Sequence, residues 1–243
     1  MSLQDLKSGY SGGQWLPTML DVLNRRYSNG WYVMDKMKND PWLTGSFTQY
    51  FNLSTWDGLM DSIDTACHEE THGYDFDQAL NQNGKHVYFH GSNLQIATPK
   101  LQFFARNKIL TLVQQGGSVT SNYDSTYLTG TSGTYDFIFL ADELTAYIIG
   151  LACATAIGDQ IKGGHSYRDG AASHLYYLLL YLKVARTQYA SLYATWKADP
   201  SWQKLVRFAW ARGHYWTNVS KKYASLGIND AAIDVWKDPP ATE

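Results

Sequence analysis

The segment His68-Glu69-Glu70-Thr71-His72 sets two imidazoles four residues apart, with a carboxylate directly after the first. On a helix, residues four apart share a face. Both rings can therefore turn a nitrogen toward one zinc ion, and Glu69 leaves the same turn, where a carboxylate can take a proton from a metal-activated water. With seven His in 243 residues, random placement gives this H-E-x-x-H pattern in roughly one such sequence in a hundred. A His pair at this spacing also suits a polar helix surface or a core in which both rings are hydrogen-bonded. The rest of the chain has to decide.

A catalytic zinc takes three protein ligands and keeps one position open, so two His on one helix are not enough. Residues 135–160 form an apolar stretch interrupted by Asp142-Glu143. A carboxylate inside a buried helix is costly unless it is paired or bound to metal, which makes Glu143 the first candidate. Asp136 is the second, with a role as helix cap as its alternative. His90, His165, His174 and His214 are further options. The sixth residue after His72, where a closely spaced third ligand often stands, is Gln78, and Asp75 holds the place of the glycine that would turn the chain toward it.

On these residues the chain resembles the zincin metallopeptidases, and most the gluzincin group, in which H-E-x-x-H on one helix is completed by a Glu on a later helix. The resemblance covers two short segments. It implies Zn2+ held by His68, His72 and Glu143, Glu69 as general base, and hydrolysis of a peptide bond in a peptide or protein substrate. The 70 residues between His72 and Glu143 exceed the compact gluzincin spacing. Gly133-Thr134-x-Asp136 is similar to the aspzincin signature but one residue short of it, so Asp136 stays open as the third ligand. The competing function is a metal-binding, non-catalytic interaction or scaffold module. Intact Glu69 argues against it, because holding zinc does not require that carboxylate.

Peptide hydrolysis also needs a donor for the developing oxyanion. Tyr147, one turn after Glu143, and His174, near the start of a Tyr-rich helix, are the candidates as catalytic residues; core packing is the alternative for each. Asp64 and Asp75 flank the motif and suit either orientation of a ligand imidazole or solvated surface charge.

The elements that must position these groups follow from periodicity. Residues 56–74 read as a helix capped by Ser54 or Thr55, with Leu59, Met60, Ile63, Ala66 and Cys67 as its apolar stripe. Gly73 suits an end or bend. Further helices are expected at 15–26, 31–38, 135–160, 171–197, 201–224 and 228–237, and a β-hairpin at 85–90 and 93–98. Residues 41–55 read as irregular and 100–115 as helix or strand. Residues 115–134, rich in Gly, Ser, Thr, Asn and Tyr, read as a long functional loop or cleft wall, and Pro239-Pro240 as a frayed tail. The fold class is α+β, predominantly helical and zincin-like, with an H-E-x-x-H helix, a second ligand-bearing helix and a small β element. It occupies one domain, 1–243, with room for two lobes, about 1–115 and 116–243, around a cleft.

Composition narrows the partners. The net charge is −2 and no Lys/Arg run occurs, which argues against nucleic acid or an anionic membrane surface. No apolar run reaches the length of a membrane span: Asp142, Glu143 and several Tyr interrupt the longest candidates, 137–157 and 175–184. Only 17% of residues are charged and 15% are aromatic, a balance that leans toward an extracellular or periplasmic protein, although residues 1–5 lack the pattern of a signal peptide. Oligomeric state is not legible. Cys67 and Cys153 fit two free buried thiols better than a disulfide framework.

Overall fold

The structure, a computed structural model, describes residues 1–237; the tail containing Pro239-Pro240 lies outside them. It is predominantly helical, with 13 α-helices and one two-stranded antiparallel sheet among the described residues.

Two long helices carry the candidate residues. The first, Trp56–Leu80, holds both histidines and is called the histidine helix below. Thr55 caps it, its hydroxyl accepting from the Gly58 N–H at 3.1 Å. The expected stripe of Leu59, Met60, Ile63, Ala66 and Cys67 is fully buried, and each of the larger side chains contributes roughly 1.5–3 kcal/mol by leaving water. The helix does not stop at Gly73. A Cβ there would sit 2.9 Å from Met37 Cε, so this glycine lies inside the helix under the tip of a Met side chain from the helix Ser28–Met37.

The second, Phe137–Ala156, carries Glu143 and is called the glutamate helix. It packs along the histidine helix more extensively than any other pair of elements meets. Gly150 permits the approach: a Cβ there would lie 3.0 Å from the Asp64 carbonyl oxygen and 3.4 Å from His68 Cβ. Its N-terminal half joins a core cluster through Leu140, Leu144 and Ile148, and its C-terminal half joins another through Ile149, Cys153 and Ala154. Both halves of the core therefore meet on this one helix. An 18-residue window within it has a mean hydropathy of 1.7, long and apolar enough to cross a membrane by length and composition even with Asp142 and Glu143 inside it. Of that window, 72% is buried against the rest of the protein.

The hairpin forms where the alternation places it. Strand β1, Lys85–Gly91, pairs antiparallel with β2, Leu94–Pro99, from Lys85 opposite Pro99 to Gly91 opposite Leu94. Phe89 fixes β1 to the histidine helix through an edge contact with Tyr74, ring centroids 5.3 Å apart.

Several expectations change. Residues 115–134 are not a loop: they contain the helix Ser121–Leu128 and a short turn of helix, Gly130–Gly133. Their polar composition belongs to the solvent side, while Leu128 is fully buried and Asp124 accepts a hydrogen bond from the Tyr177 hydroxyl. The helix expected at 171–197 is two, Tyr167–Gln188 and Ala190–Ala198, because Tyr189 leaves helical geometry at φ −130°, ψ 52°. Residues 41–55 hold helical turns at Trp42–Ser46 and Phe47–Tyr50. Residues 100–105 form no regular element and lead through a helical turn at Arg106–Ile109 into a helix at Leu110–Gly116. Cys67 and Cys153 are both buried and free.

Candidate metal centre

His68 and His72 leave the histidine helix on the face turned to the glutamate helix, and Glu143 faces them from it. Their side chains are 12%, 23% and 21% exposed. His68 Nε2 and His72 Nε2 lie 3.1 Å apart. Glu143 Oε2 is 3.6 Å from the first and 3.5 Å from the second. The three atoms face a common point, as ligands of a single cation do, and they form the one such His/Cys/Asp/Glu group among the described residues.

Two features show what this point accepts. Glu143 Oε2 is buried, makes no close hydrogen bond, and has the two imidazole nitrogens at 3.5 and 3.6 Å, a spacing that a cation between them would bridge. His72 has its other nitrogen fixed: Nδ1 is 2.7 Å from Asp142 Oδ2. A carboxylate only accepts, so Nδ1 carries a proton, and Nε2 is the nitrogen turned to the shared point, where a bound cation would take the place of any proton on it. The electrostatics agree. Burial works against a charged His72, yet its bond to Asp142 and the nearby Glu143 carboxylate hold its pKa well above the ordinary imidazole value. Burial likewise works to raise Glu143, and the two imidazoles overcome it and hold that carboxyl well below the usual range. The pocket favours positive charge.

The motif's two glutamates diverge. Glu69 is exposed and lines, with His68, a cavity of about 210 Å³. Glu70 is 1% exposed; burial first, then the charges of Asp40 and Glu69, raise its pKa to about 8. Only Glu69 is placed to meet solvent or substrate beside the histidines.

Tyr147 stands in the same cavity, its ring edge-on to His68 with centroids 4.4 Å apart. Its hydroxyl is hydrogen-bonded to the Tyr127 hydroxyl at 2.7 Å. Burial, then the neighbouring phenols Tyr123 and Tyr127, push its pKa far above the ordinary value, so it acts as a neutral hydrogen-bonding group. His174 lies behind Tyr147. The two rings stack at 4.6 Å, His174 is fully buried, and its Nδ1 donates to the Gly170 carbonyl at 2.9 Å. Burial lowers its pKa to about 4, and it supports Tyr147 from outside the cavity lining.

Asp136 is the cap of the glutamate helix, accepting from the Ile138 N–H at 2.9 Å, and takes no part in the His68–His72–Glu143 group. His90 and His174 are buried elsewhere, and His165 bonds Asp61 at 3.3 Å. Asp64 and Asp75 are not solvated surface charges: they are 8% and 3% exposed. The carboxylate on the imidazole is Asp142, which sequence reasoning passed over as the neighbour of Glu143. The other unanticipated lining residues are Tyr123 and Tyr127; tyrosines spaced four apart in the polar segment were the available signal.

No family model matches the chain, and no curated protein or solved structure matches it either.

Proposed function

We propose that the protein is a zinc-dependent peptidase with a zincin-like catalytic centre, and that Zn2+ is held by His68, His72 and Glu143. The observation that carries this reading is the convergence of those three atoms at separations of 3.1, 3.5 and 3.6 Å, with Glu69 in the cavity beside them. Tetrahedral zinc with bonds of about 2.0–2.1 Å sets its ligand atoms roughly 3.3–3.4 Å apart, so the triangle fits with little adjustment. Asp142 supplies the carboxylate behind a zinc-ligating imidazole.

When bound, zinc supplies Lewis acidity toward a water and toward the scissile carbonyl. Glu69 then serves as the general base, taking the water's proton and returning it to the leaving amine. Exposure keeps the Glu69 carboxylate in contact with solvent, whereas buried Glu70 is closed to substrate. Of the phenols lining the cavity, Tyr123 donates to the Ser166 carbonyl and Tyr127 and Tyr147 are bonded to each other, which leaves one hydroxyl of that pair as a neutral donor for charge developing on the carbonyl oxygen.

The test is Glu69→Gln. The variant keeps one zinc per chain by elemental analysis and loses hydrolysis of an unstructured protein such as casein. A wild-type chain that carries no zinc after metal-replete purification would sink the metal centre. A zinc-loaded wild type inactive across a broad peptide panel would instead support the non-catalytic alternative.

A further inference from the structure

The cavity beside Glu69 extends away from the metal centre. Its lining on the histidine helix runs from His68 and Glu69 back to Asp64 and Thr65, one helical turn or about 5.4 Å further along. Around that end stand Tyr123 and Tyr127 from the helix Ser121–Leu128, Tyr147 from the glutamate helix, and Ser166 and Tyr167 at the start of Tyr167–Gln188. All four tyrosines are half-buried, so part of each stays open.

Ring geometry and charge restrict what this end accepts. The Tyr123 and Tyr127 rings are parallel within 10°, and Tyr147 stands at 80° to both, its centroid 5.7 and 6.1 Å from theirs. Tyr167 has the His165 ring stacked on it at 4.6 Å and lines the cavity as well. Burial raises the pKa of all four phenols and keeps them neutral. A neutral aromatic ring has a negative face that attracts cations. Tyr127 already holds one this way, with the Arg106 guanidinium carbon 5.2 Å from its centroid. Among the described residues the lining contains no Lys or Arg, and its exposed charge is the Glu69 carboxylate, so an anion is disfavoured. Asp64 adds no firm charge, because burial raises its pKa to about 7. The Ser166 hydroxyl, 3.0 Å from that of Tyr123, has acceptor capacity for an incoming N–H.

We propose that this end of the cavity seats the ammonium group of a substrate lysine adjoining the scissile bond. A four-carbon stem spans about one helical turn, so a lysine whose main chain lies beside Glu69 brings its ammonium among the rings. The place of that lysine beside the scissile bond rests on the peptidase reading; the seat for its ammonium needs neither zinc nor turnover.

Isothermal titration of the metal-free full chain tests the seat. N-acetyl-lysinamide is expected to bind saturably and about tenfold tighter than N-acetyl-norleucinamide, which has the same four-carbon stem and no ammonium. Tyr123→Phe keeps the ring and should keep that ratio, whereas Tyr123→Leu removes the ring and should reduce it. Thr65→Lys puts an ammonium of the chain's own into the same lining and should abolish the preference. Circular dichroism checks that each variant is folded. No saturable binding in the folded wild type, equal affinity for the two amides, or a preference that survives Thr65→Lys overturns the proposal. Norleucinamide with a free α-amine binding as tightly as N-acetyl-lysinamide overturns the side-chain assignment in favour of a terminal amine. On the zinc-loaded chain, peptides with lysine beside the scissile bond should be cleaved with kcat/KM about tenfold above their norleucine counterparts. Hydrolysis without that preference overturns this inference and leaves the peptidase reading standing. Preferential binding of lysinamide with no hydrolysis does the reverse.

Discussion

His72 Nδ1 and Asp142 Oδ2 are 2.7 Å apart, and this bond spans the two long helices. It fixes which nitrogen of His72 is free and ties the ring to the helix that bears Glu143. Replacing the partner of a ligating imidazole typically costs 10–100-fold in metal affinity. Asp142→Ala is expected to weaken zinc binding by about that factor with the chain still folded, read by competition against a chromogenic chelator. Unchanged affinity would show that Asp142 is an ordinary ion-pair partner.

Glu143 and Asp136 sit on the same helix but do different work. Glu143→Ala removes one of three converging ligand atoms and should abolish tight zinc binding. Asp136→Ala removes the bond to the Ile138 N–H and should cost about 1 kcal/mol of stability while zinc stays bound. Zinc content and a denaturant midpoint, measured on both variants, check the pair. The reverse pattern, zinc lost on Asp136→Ala and kept on Glu143→Ala, contradicts the assignment.

What was legible in the chain depended on whether local spacing carried the information. The shared face of His68 and His72 is a property of helical geometry alone, and Glu143 stood out because a carboxylate inside an apolar run needs a partner. Asp142 did not stand out, since a second acid beside the first reads as solvated charge until the partner helix is in place. The same limit explains Asp64 and Asp75. Periodicity finds the apolar stripe of their helix but cannot say that neighbouring elements cover its other sides. Tyr123 and Tyr127 were hidden differently: a Ser/Thr/Asn-rich segment has weak helical signal, and here burial of Leu128 and the Asp124–Tyr177 hydrogen bond accompany the helix. Gly73 shows the converse error, a glycine inside the helix where an end or bend was expected.

Gly150 controls how closely the two helices approach. The atoms its added Cβ would meet, the Asp64 carbonyl oxygen at 3.0 Å and His68 Cβ at 3.4 Å, cannot swing away as a flexible side chain can. Gly150→Ala should therefore push the helices apart by a few tenths of an ångström and destabilise the fold by about 1–3 kcal/mol. Because one displaced atom belongs to His68, zinc affinity should fall with it. Gly13→Ala, where nothing lies within 4 Å, is the control expected to change neither. Thermal melts and zinc titration of both variants decide; a Gly150→Ala chain with wild-type affinity would mean the site tolerates the wider spacing.

Asp64, one turn before His68 and 8% exposed, gives the stability a pH dependence of definite sign. Burial raises its pKa from 3.8 to about 7, and hydrogen bonding with the Tyr167 hydroxyl and then with Thr65, whose hydroxyl donates at 3.2 Å, only partly offsets this. Between those two values the unfolded chain has released the proton and the folded chain has kept it. Stability therefore falls as pH rises through that window, by about 1.4 kcal/mol per unit, and levels off above about pH 7. Asp64→Asn has nothing to titrate. Relative to wild type, the metal-free variant should gain stability steadily from about pH 4 to about pH 7, reaching on the order of 4 kcal/mol, with no further gain beyond. Urea midpoints at three or four pH values across the window measure the difference. A constant offset would mean that Asp64 reaches water more readily than its burial indicates, and a gain that shrinks with rising pH would reverse the sign and place a stabilising positive partner beside the carboxylate.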